Sequence, residues 1–288
     1  MLTSHERVID KLYGHVDGDA RDSHNGYLNF GLWGDEIHDY GSAAENLVRA
    51  LGDRLHLTPG SRLIDAACGR GSQDFSLLRR YGEISIDAVD ITRHHVDLAR
   101  RRADAWPGPG RVTFHHASAT QLPFPDRSFS HAMCLEAAHH FNTRWDFLAE
   151  AFRVLEPGGR LALAEIVLRR APRSWAERSV LGAACALWRI PAANLVSCAD
   201  YSARLRDVGF AVDSIEEVGA LTFPGYYHEA VSPERRRELV KLRGWAGTAV
   251  GSLMAFSAFR VYEAGLVDYL LVSARKPLRT AGPDATVQ

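Results

Sequence analysis

The chain has 288 residues, 46% hydrophobic and 24% charged, the balance of a globular protein with enough apolar surface to bury one large core. No run of about 18 uninterrupted apolar residues is present to cross a bilayer, and 34 Lys and Arg against 35 Asp and Glu leave no surplus positive charge to neutralise a phosphate backbone. Neither an integral membrane protein nor a nucleic-acid-binding protein is expected.

In chain order, Glu6 to Val16 and Ser42 to Leu55 read as helices flanking an aromatic, turn-like stretch from Gly26 to Gly34 that could serve as a lid. Met1 to Asp10 is charged and lacks the apolar stretch of a secretory signal, so a cytoplasmic location is expected. Cys68, Cys134, Cys185 and Cys198 form no CxxC pair and no zinc spacing, which fits buried thiols in a reducing compartment.

From Arg62 to Val167 short apolar runs alternate with amphipathic ones, the signature of a parallel sheet with crossover helices. Strands are predicted over Arg62 to Ala67, Ile84 to Asp90, Val112 to His116, Phe129 to Leu135 and Arg160 to Val167. Helices are predicted over Gln73 to Tyr81, His95 to Ala105 and Arg144 to Leu155. Pro59-Gly60, the Pro-Gly repeat at 107–110 and Pro157-Gly158-Gly159 punctuate them. Beyond the fifth strand, Trp175 to Leu195 reads as an apolar helix ending near Pro191, Ser202 to Val208 as a helix, and Phe210 to Val218 as a sixth strand. Pro233 to Ala264 reads as a helix and Val267 to Ala274 as a last strand, with a disordered tail from Pro277. The expected organisation is N-terminal helices and lid over 1–60, a cofactor-binding core over 61–170, cap insertions and final strands of the same domain over 171–276, and a tail over 277–288.

The most informative segment is Leu63 to Gly71, an apolar strand ending at Asp65 and breaking into Cys68-Gly69-Arg70-Gly71 before a helix. Glycine lets the backbone approach a ligand at the carboxyl end of a sheet. A GxG alone also describes an ordinary tight turn. A dinucleotide fingerprint would continue to a third glycine, but Asp74 stands there, which argues against a nicotinamide cofactor. The second strand ends at Asp90, where a carboxylate can accept from both ribose hydroxyls. A nucleoside without a pyrophosphate fits both observations.

With these motifs in order the chain resembles the class I S-adenosylmethionine-dependent methyltransferases across roughly residues 42 to 170. Asp65 to Gly71 is similar to the family's first motif, Val89-Asp90-Ile91 to its second, Ala117 to Phe124 to its adenine-side loop, and Arg153 to Gly159 to the turn before strand five. The resemblance implies a Rossmann-like α/β fold: a mostly parallel seven-stranded sheet with N-terminal helices and a helical cap. It implies S-adenosylmethionine as cofactor. Gly69 and Gly71 would line its methionine moiety, with Ala67 in the same loop; Asp90 would hold the ribose, Ile91 would pack on adenine and the Ala119 amide would face the adenine edge. Asp65 would orient the loop and the cofactor amino group, and backbone near Leu135 would touch the methionine end. Three departures stand out: Ala67 where glycine is frequent, Ser118 where the adenine loop often carries aspartate, and Ser130 where aspartate commonly follows the phenylalanine of strand four.

Methyl transfer from a sulfonium is an in-line displacement, so alignment and exclusion of water supply most of the catalysis, and a hydroxyl acceptor additionally benefits from a base. His139 and His140, just after strand four, are the candidate bases, with His140 slightly favoured; Glu165, at the end of strand five, would orient the imidazole or bind substrate. Adjacent loop histidines are ordinarily solvated or capping residues, and that reading is retained for His94-His95 and His115-His116. Glu136 could equally be structural, bonded to neighbouring backbone. No HxxxH or HExxH helix and no aspartate cluster appears, so metal independence is expected. This pattern resembles small-molecule methyltransferases of bacterial natural-product and antibiotic pathways.

Specificity should lie outside residues 62–167, where aromatic residues abound. Tyr27, Trp33, Trp188, Tyr226 and Trp245 are the candidate substrate pocket, although aromatics at helical spacing are more often core. The expected function is O-methylation of a hydrophobic small molecule. The alternatives are C-methylation of a terpenoid or polyketide carbon, or a methyltransferase-fold cyclase or S-adenosylmethionine-binding protein without methyl transfer. The N-terminal stretch would close over its own site or pack on a partner subunit, which keeps a homo-oligomer among the expected assemblies.

Overall fold

The computed structural model describes residues 3–14 and 26–278. The disordered tail expected from Pro277 falls almost wholly outside the described residues, as does the end of the first expected helix.

Seven strands form one sheet: β1 (Arg62–Ala66), β2 (Ser85–Asp90), β3 (Arg111–His116), β4 (Phe129–Leu135), β5 (Leu155–Leu168), β6 (Ala211–Glu217) and β7 (Val267–Arg275). Their spatial order is β3-β2-β1-β4-β5-β7-β6. The first five pair in parallel, and β7 runs antiparallel between β5 and β6. The order reverses at β1, so the carboxyl ends of β1 and β4 flank a crevice where α/β sheets accept ligands. Nine α-helices among the described residues surround the sheet: α1 (Ser4–Gly14), α2 (Tyr40–Leu55), α3 (Ser72–Tyr81), α4 (Arg93–Asp104), α5 (Arg144–Val154), α6 (Trp175–Trp188), α7 (Cys198–Val208), α8 (Phe223–Val231) and α9 (Pro233–Glu263).

Side chains alternate across each strand, and the core divides accordingly. Leu63, Met133, Ala162 and Leu271 pack on one face with Leu47 and Leu51 of α2 and Phe75 of α3. Ile64, Cys134, Leu163 and Leu270 pack on the other with Phe147 of α5 and Leu205 of α7. Helix starts are fixed by short polar side chains: Asp39, Thr143, Ser174 and Ser197 each accept an N–H three residues on.

Four elements differ from the sequence reading. β5 begins at Leu155 rather than Arg160, because Gly158 N–H donates to the Lys276 carbonyl and Lys276 N–H to the Gly159 carbonyl, which recruits the Pro-Gly-Gly segment into the sheet. The helix from Trp175 stops at Trp188, where Arg189 turns left-handed (φ 57°) ahead of Pro191, and Ala192–Asn194 form a single 3-10 turn. Residues 223–231, for which no element was expected, form α8, started by Pro224 in its first turn. The long helix α9 is broken at Gly244, whose φ of 73° and ψ of 175° lie outside helical space.

Candidate active site

The loop after β1 is built around backbone that few side chains tolerate. Ala67, Gly69 and Gly71 have φ of 65°, 56° and 76°, and the left-handed conformation at Ala67 costs about 1–3 kcal/mol in a non-glycine residue. Gly71 is required sterically as well, since a Cβ there would lie 2.5 Å from the Phe114 ring. The loop is pinned at its far side by Asp90, which closes β2: Oδ2 accepts from Gly69 N–H (2.9 Å) and Oδ1 from Thr92 N–H (2.7 Å). Burial raises the Asp90 pKa against the pull of these two amides.

This loop is one wall of the main cavity, which Ala67, Gly69, Asp90 and Ile91 line together with Ser118, Ala119 and Leu135. Seven of the nine expected cofactor residues therefore meet at one place. Asp65 and Gly71 do not line the cavity. Asp65 is fully buried and takes a 2.7 Å hydrogen bond from Gln73 Nε2, and Gln73 does reach the cavity. Burial raises the Asp65 carboxyl to about 7, and burial together with the neighbouring Asp65 charge raises the Asp74 carboxyl well above its usual range.

Beyond β4, Ala138–His140 form a 3-10 turn whose three residues per turn aim neighbouring side chains in different directions. His140 lines the cavity; His139 and Glu165 do not. His139 is instead part of a buried group behind the wall, its Nδ1 3.4 Å from Glu165 Oε2, with Arg144 Nη1 3.8 Å from the same oxygen. Arg144 is wholly buried, donates to the Ile166 carbonyl and lies over the Tyr201 ring at 5.3 Å. Burial, aided by Arg144, lowers the His139 pKa to about 3, and burial raises Glu165 to about 7 although Arg144 opposes it. The imidazole is therefore neutral, and Arg144 rather than His139 balances any charge on Glu165. Asn194 fixes the turn by donating to the His139 and Phe141 carbonyls at 3.0 and 2.9 Å. Burial, with His139 beside it, also drives the His140 pKa well below the ordinary histidine value.

Several cavity residues went unrecognised in the sequence. Glu6 and Ile9 of α1 reach the cavity from the N-terminal side, and Leu28 and Asn29 from the following strap. Glu136, just past β4 with φ 53° and weighed in the sequence as a structural residue, also lines it; its carboxyl oxygens accept from Phe30 N–H at 2.9 and 3.0 Å and from the Tyr269 hydroxyl at 2.5 Å. These are long-range bonds rather than ones to neighbouring backbone. His95 is 1% exposed and lines the cavity, against the expectation of a solvated or capping residue, while His94 beside it is exposed; His115 and His116 bond Asp87 and the Ile91 carbonyl.

Among the expected pocket aromatics, Trp33, Trp188 and Tyr226 gather around Phe30. Tyr226 stacks on it at 4.4 Å, Trp188 meets it edge-on at 5.3 Å, and Trp33 donates to its carbonyl. Of the five, Trp188 lines a second, wholly apolar cavity, which it shares with Phe30, Leu181 and Phe223. Tyr27 is buried in the core, and Trp245 is 75% exposed on α9 and lines neither cavity. The strap thus has Leu28 and Asn29 in the main cavity and Phe30 in the apolar one. Among the described residues no group of three or more His, Cys, Asp or Glu is placed to hold a metal ion, and no helix is long and apolar enough to cross a membrane.

The buried acids have a consequence for stability. Burial lifts Glu136 to about 8, despite the hydrogen bonds from Tyr269 and Phe30, and lifts Glu165 and Asp65 to about 7. Each folded-state pKa lies above its unfolded value, so the fold binds protons that the unfolded chain has released, and the stability this contributes is lost as pH rises through 7 to 8. Thermal melts of the unliganded protein should show Tm falling between about pH 6 and about pH 9. Glu136→Gln should flatten part of that fall; a Tm that rises over the interval contradicts the assignment.

Comparison with known proteins adds identity to this geometry. A family model described as a methyltransferase domain matches residues 63–159. The chain is 32% identical over 274 residues to the 27-O-demethylrifamycin SV methyltransferase of Amycolatopsis mediterranei, covering 94% of this chain and 93% of that one. It is 30% identical over 286 residues to the erythromycin 3''-O-methyltransferase of Saccharopolyspora erythraea, covering 96% and 91%. Among solved structures the cyclase SpnF superposes with a TM-score of 0.76 over 95% of this chain and 97% of that one, at 23% identity, a likeness of fold.

Proposed function

This chain is a member of the class I S-adenosylmethionine-dependent methyltransferases, and from that membership we propose that it methylates a hydroxyl of a hydrophobic natural product, with His140 receiving the proton. A cytoplasmic location and a reaction without a metal ion belong to the same reading.

The residues fit the cofactor. Asp90 spends one lone pair of each oxygen on Gly69 and Thr92, which leaves acceptor capacity for two ribose hydroxyls. Ile91 offers an apolar face for a base, and Ser118 and Ala119 stand at that side of the cavity. Asp65 acts on the cavity through Gln73. S-adenosylmethionine, when bound, supplies a methyl group on a positively charged sulfur.

The observation that carries the base assignment is that His140 faces the cavity while His139 is turned into the Glu165–Arg144 group. A strongly lowered pKa keeps the His140 imidazole unprotonated near neutral pH. Such a base is weak, and a weak base is sufficient, because a hydroxyl oxygen becomes strongly acidic as it bonds to carbon. In the transfer the hydroxyl lone pair would form the new C–O bond with the S–C pair left on sulfur, and the His140 imidazole would take the proton and pass it to solvent. Glu165, His139 and Asn194 act by holding the turn that presents His140. The apolar cavity bordered by Phe30 and Trp188 suits the hydrophobic body of an acceptor.

O-methylation is favoured over C-methylation by the names of the two full-length relatives, one acting at a 27-O position and one at a 3''-O position. Incubation with methyl-13C-labelled S-adenosylmethionine and a panel of hydroxylated macrolides, polyketides and glycosylated aglycones should give a labelled methoxy carbon by NMR. A labelled carbon-bound methyl would move the reaction to the C-methyl alternative. Tight cofactor binding with no S-adenosylhomocysteine from any acceptor would favour a methyltransferase-fold protein that does another reaction, a reading that the fold likeness to a cyclase keeps in view.

A further inference from the structure

The adenine loop of this chain carries Ser118 where an aspartate would offer its carboxylate to the adenine amine. A carboxylate is present at that spot, and it comes from elsewhere. Glu6, 112 positions earlier on α1, lines the cavity, is 6% exposed and accepts a hydrogen bond on Oε1 from the Ser118 hydroxyl. Its other oxygen is used locally: Oε2 accepts from Thr3 N–H at 2.7 Å while Glu6 N–H donates to Thr3 Oγ1 at 3.2 Å. Thr3 and Glu6 thus form a capping box at the start of α1. The capping box alone explains Oε2 and leaves unexplained why Oε1 is buried against the adenine-side loop. Although burial works to raise it, the Ser118 hydroxyl and Thr3 hold the Glu6 carboxyl below its usual range, so it is charged. α1 is tied to the turn after β4 too, where His5 Nε2 lies 2.7 Å from the His140 carbonyl oxygen.

We propose that Glu6 is the residue that recognises the exocyclic amine of adenine, a role moved from the loop after β3 to the N-terminal helix. This rests on the cavity being the S-adenosylmethionine site. An amine donates to a carboxylate, whereas the 6-oxo group of hypoxanthine presents a second acceptor to it and is repelled. Recognition from α1 also means that the bound base helps hold α1 in place across the cavity.

The test compares S-adenosylhomocysteine with S-inosylhomocysteine, in which the 6-amine becomes a 6-oxo group and N1 gains a proton, by titration calorimetry on the full chain; the change of preference in Glu6 variants isolates the part that Glu6 contributes. Wild type should prefer the adenine ligand by about 10- to 100-fold, the worth of one charge-assisted hydrogen bond. Glu6→Gln is the informative variant, because glutamine at this position still closes a capping box. With its oxygen on Thr3 N–H, its amide nitrogen faces the base and donates, so the preference should collapse or invert while Tm holds. Moving the carboxylate to the loop, Glu6→Gln with Ser118→Asp, should restore the adenine preference. An unchanged preference in Glu6→Gln, or none in wild type, overturns the assignment of Glu6. Failure of wild type to bind either ligand overturns the cofactor site itself. If Glu6→Gln does not fold, Ser118→Ala decides: with the Glu6 carboxylate still in place the adenine preference should persist, and its loss assigns recognition to Ser118 and overturns the proposal.

Discussion

Replacing His140 with alanine should lower turnover by about 10²- to 10⁴-fold, the usual worth of a positioned general base, while S-adenosylhomocysteine affinity changes by no more than a few-fold. The separation is expected because most of the proposed cofactor contacts lie at the ends of β1 and β2 and in the loop after β3, with Leu135 alone from β4, whereas His140 sits on the turn after β4. His139→Ala should behave differently. It opens the buried group around Glu165 and Arg144, so it should cost stability first, read as a fall in Tm, and activity through misplacement of the turn. A pH–rate profile separates the two further. Burial lowers the His140 pKa well below 6.5, so protonation removes the base only in acid, and the acid limb should lie well under the ordinary histidine value. A limb near 6.5 that persists in His140→Ala assigns it to another group. Turnover within a few-fold of wild type in His140→Ala means that alignment alone drives the transfer and no side-chain base is needed.

Much of the sheet was legible because its signals are local. β1, β2 and β4 are apolar runs closed by Asp65-Ala66, Asp90 and Leu135, and their alternation is what puts Leu63 and Ile64 into different cores. The misread elements depend on distant partners. Pro157-Gly158-Gly159 carries every mark of a breaker, yet pairing with Lys276 holds it extended. Gly244 interrupts α9 within a single helical run, and one glycine in such a run says little about whether the helix bends or merely weakens. α8 was announced by Pro224 in its first turn, a signal that chain periodicity alone did not raise.

The candidate site divides along the same line. The glycine loop and Asp90 were readable because they act largely through backbone shape and a carboxylate at a strand end, both fixed by a few consecutive residues. Choosing between His139 and His140 was beyond sequence, since one tight turn decides which neighbour faces the cavity. Glu6 and Glu136 were harder still. Glu6 meets Ser118 across 112 positions, and Glu136 meets Phe30 across 106 and Tyr269 across 133, distances over which composition and periodicity carry no information. The Thr3-x-x-Glu6 spacing is that of a capping box, a local pattern the sequence reading did not take up and one that points only to a helix start. Aromatic residues misled in the opposite sense. Trp245 has the right chemistry for a pocket, but its helix places it 75% exposed.

Asp90→Ala should have the largest effect on cofactor binding of any single change at this site. Two ribose hydroxyls donating to a buried carboxylate are worth about 1.5–3 kcal/mol each, so their joint loss should weaken S-adenosylhomocysteine by about 10²- to 10⁴-fold. Part of any observed loss must come from elsewhere, because Asp90 also anchors Gly69 and Thr92, and alanine leaves both amides without that acceptor. Asp90→Asn does not cleanly separate the two roles, since its amide nitrogen is a second donor set against a backbone N–H. A double-mutant cycle with the ligand does. Removing the ribose 2′-hydroxyl from S-adenosylhomocysteine should cost wild type about 10-fold or more and should cost Asp90→Ala almost nothing, because the bond is already gone. The loop contribution appears separately, as a lowered Tm of the unliganded variant. Equal penalties for the deoxy ligand in both proteins would show that the carboxylate shapes the glycine loop and does not touch the sugar, and Asp90 would then be a positioning residue whose place at the end of β2 serves the backbone of Gly69.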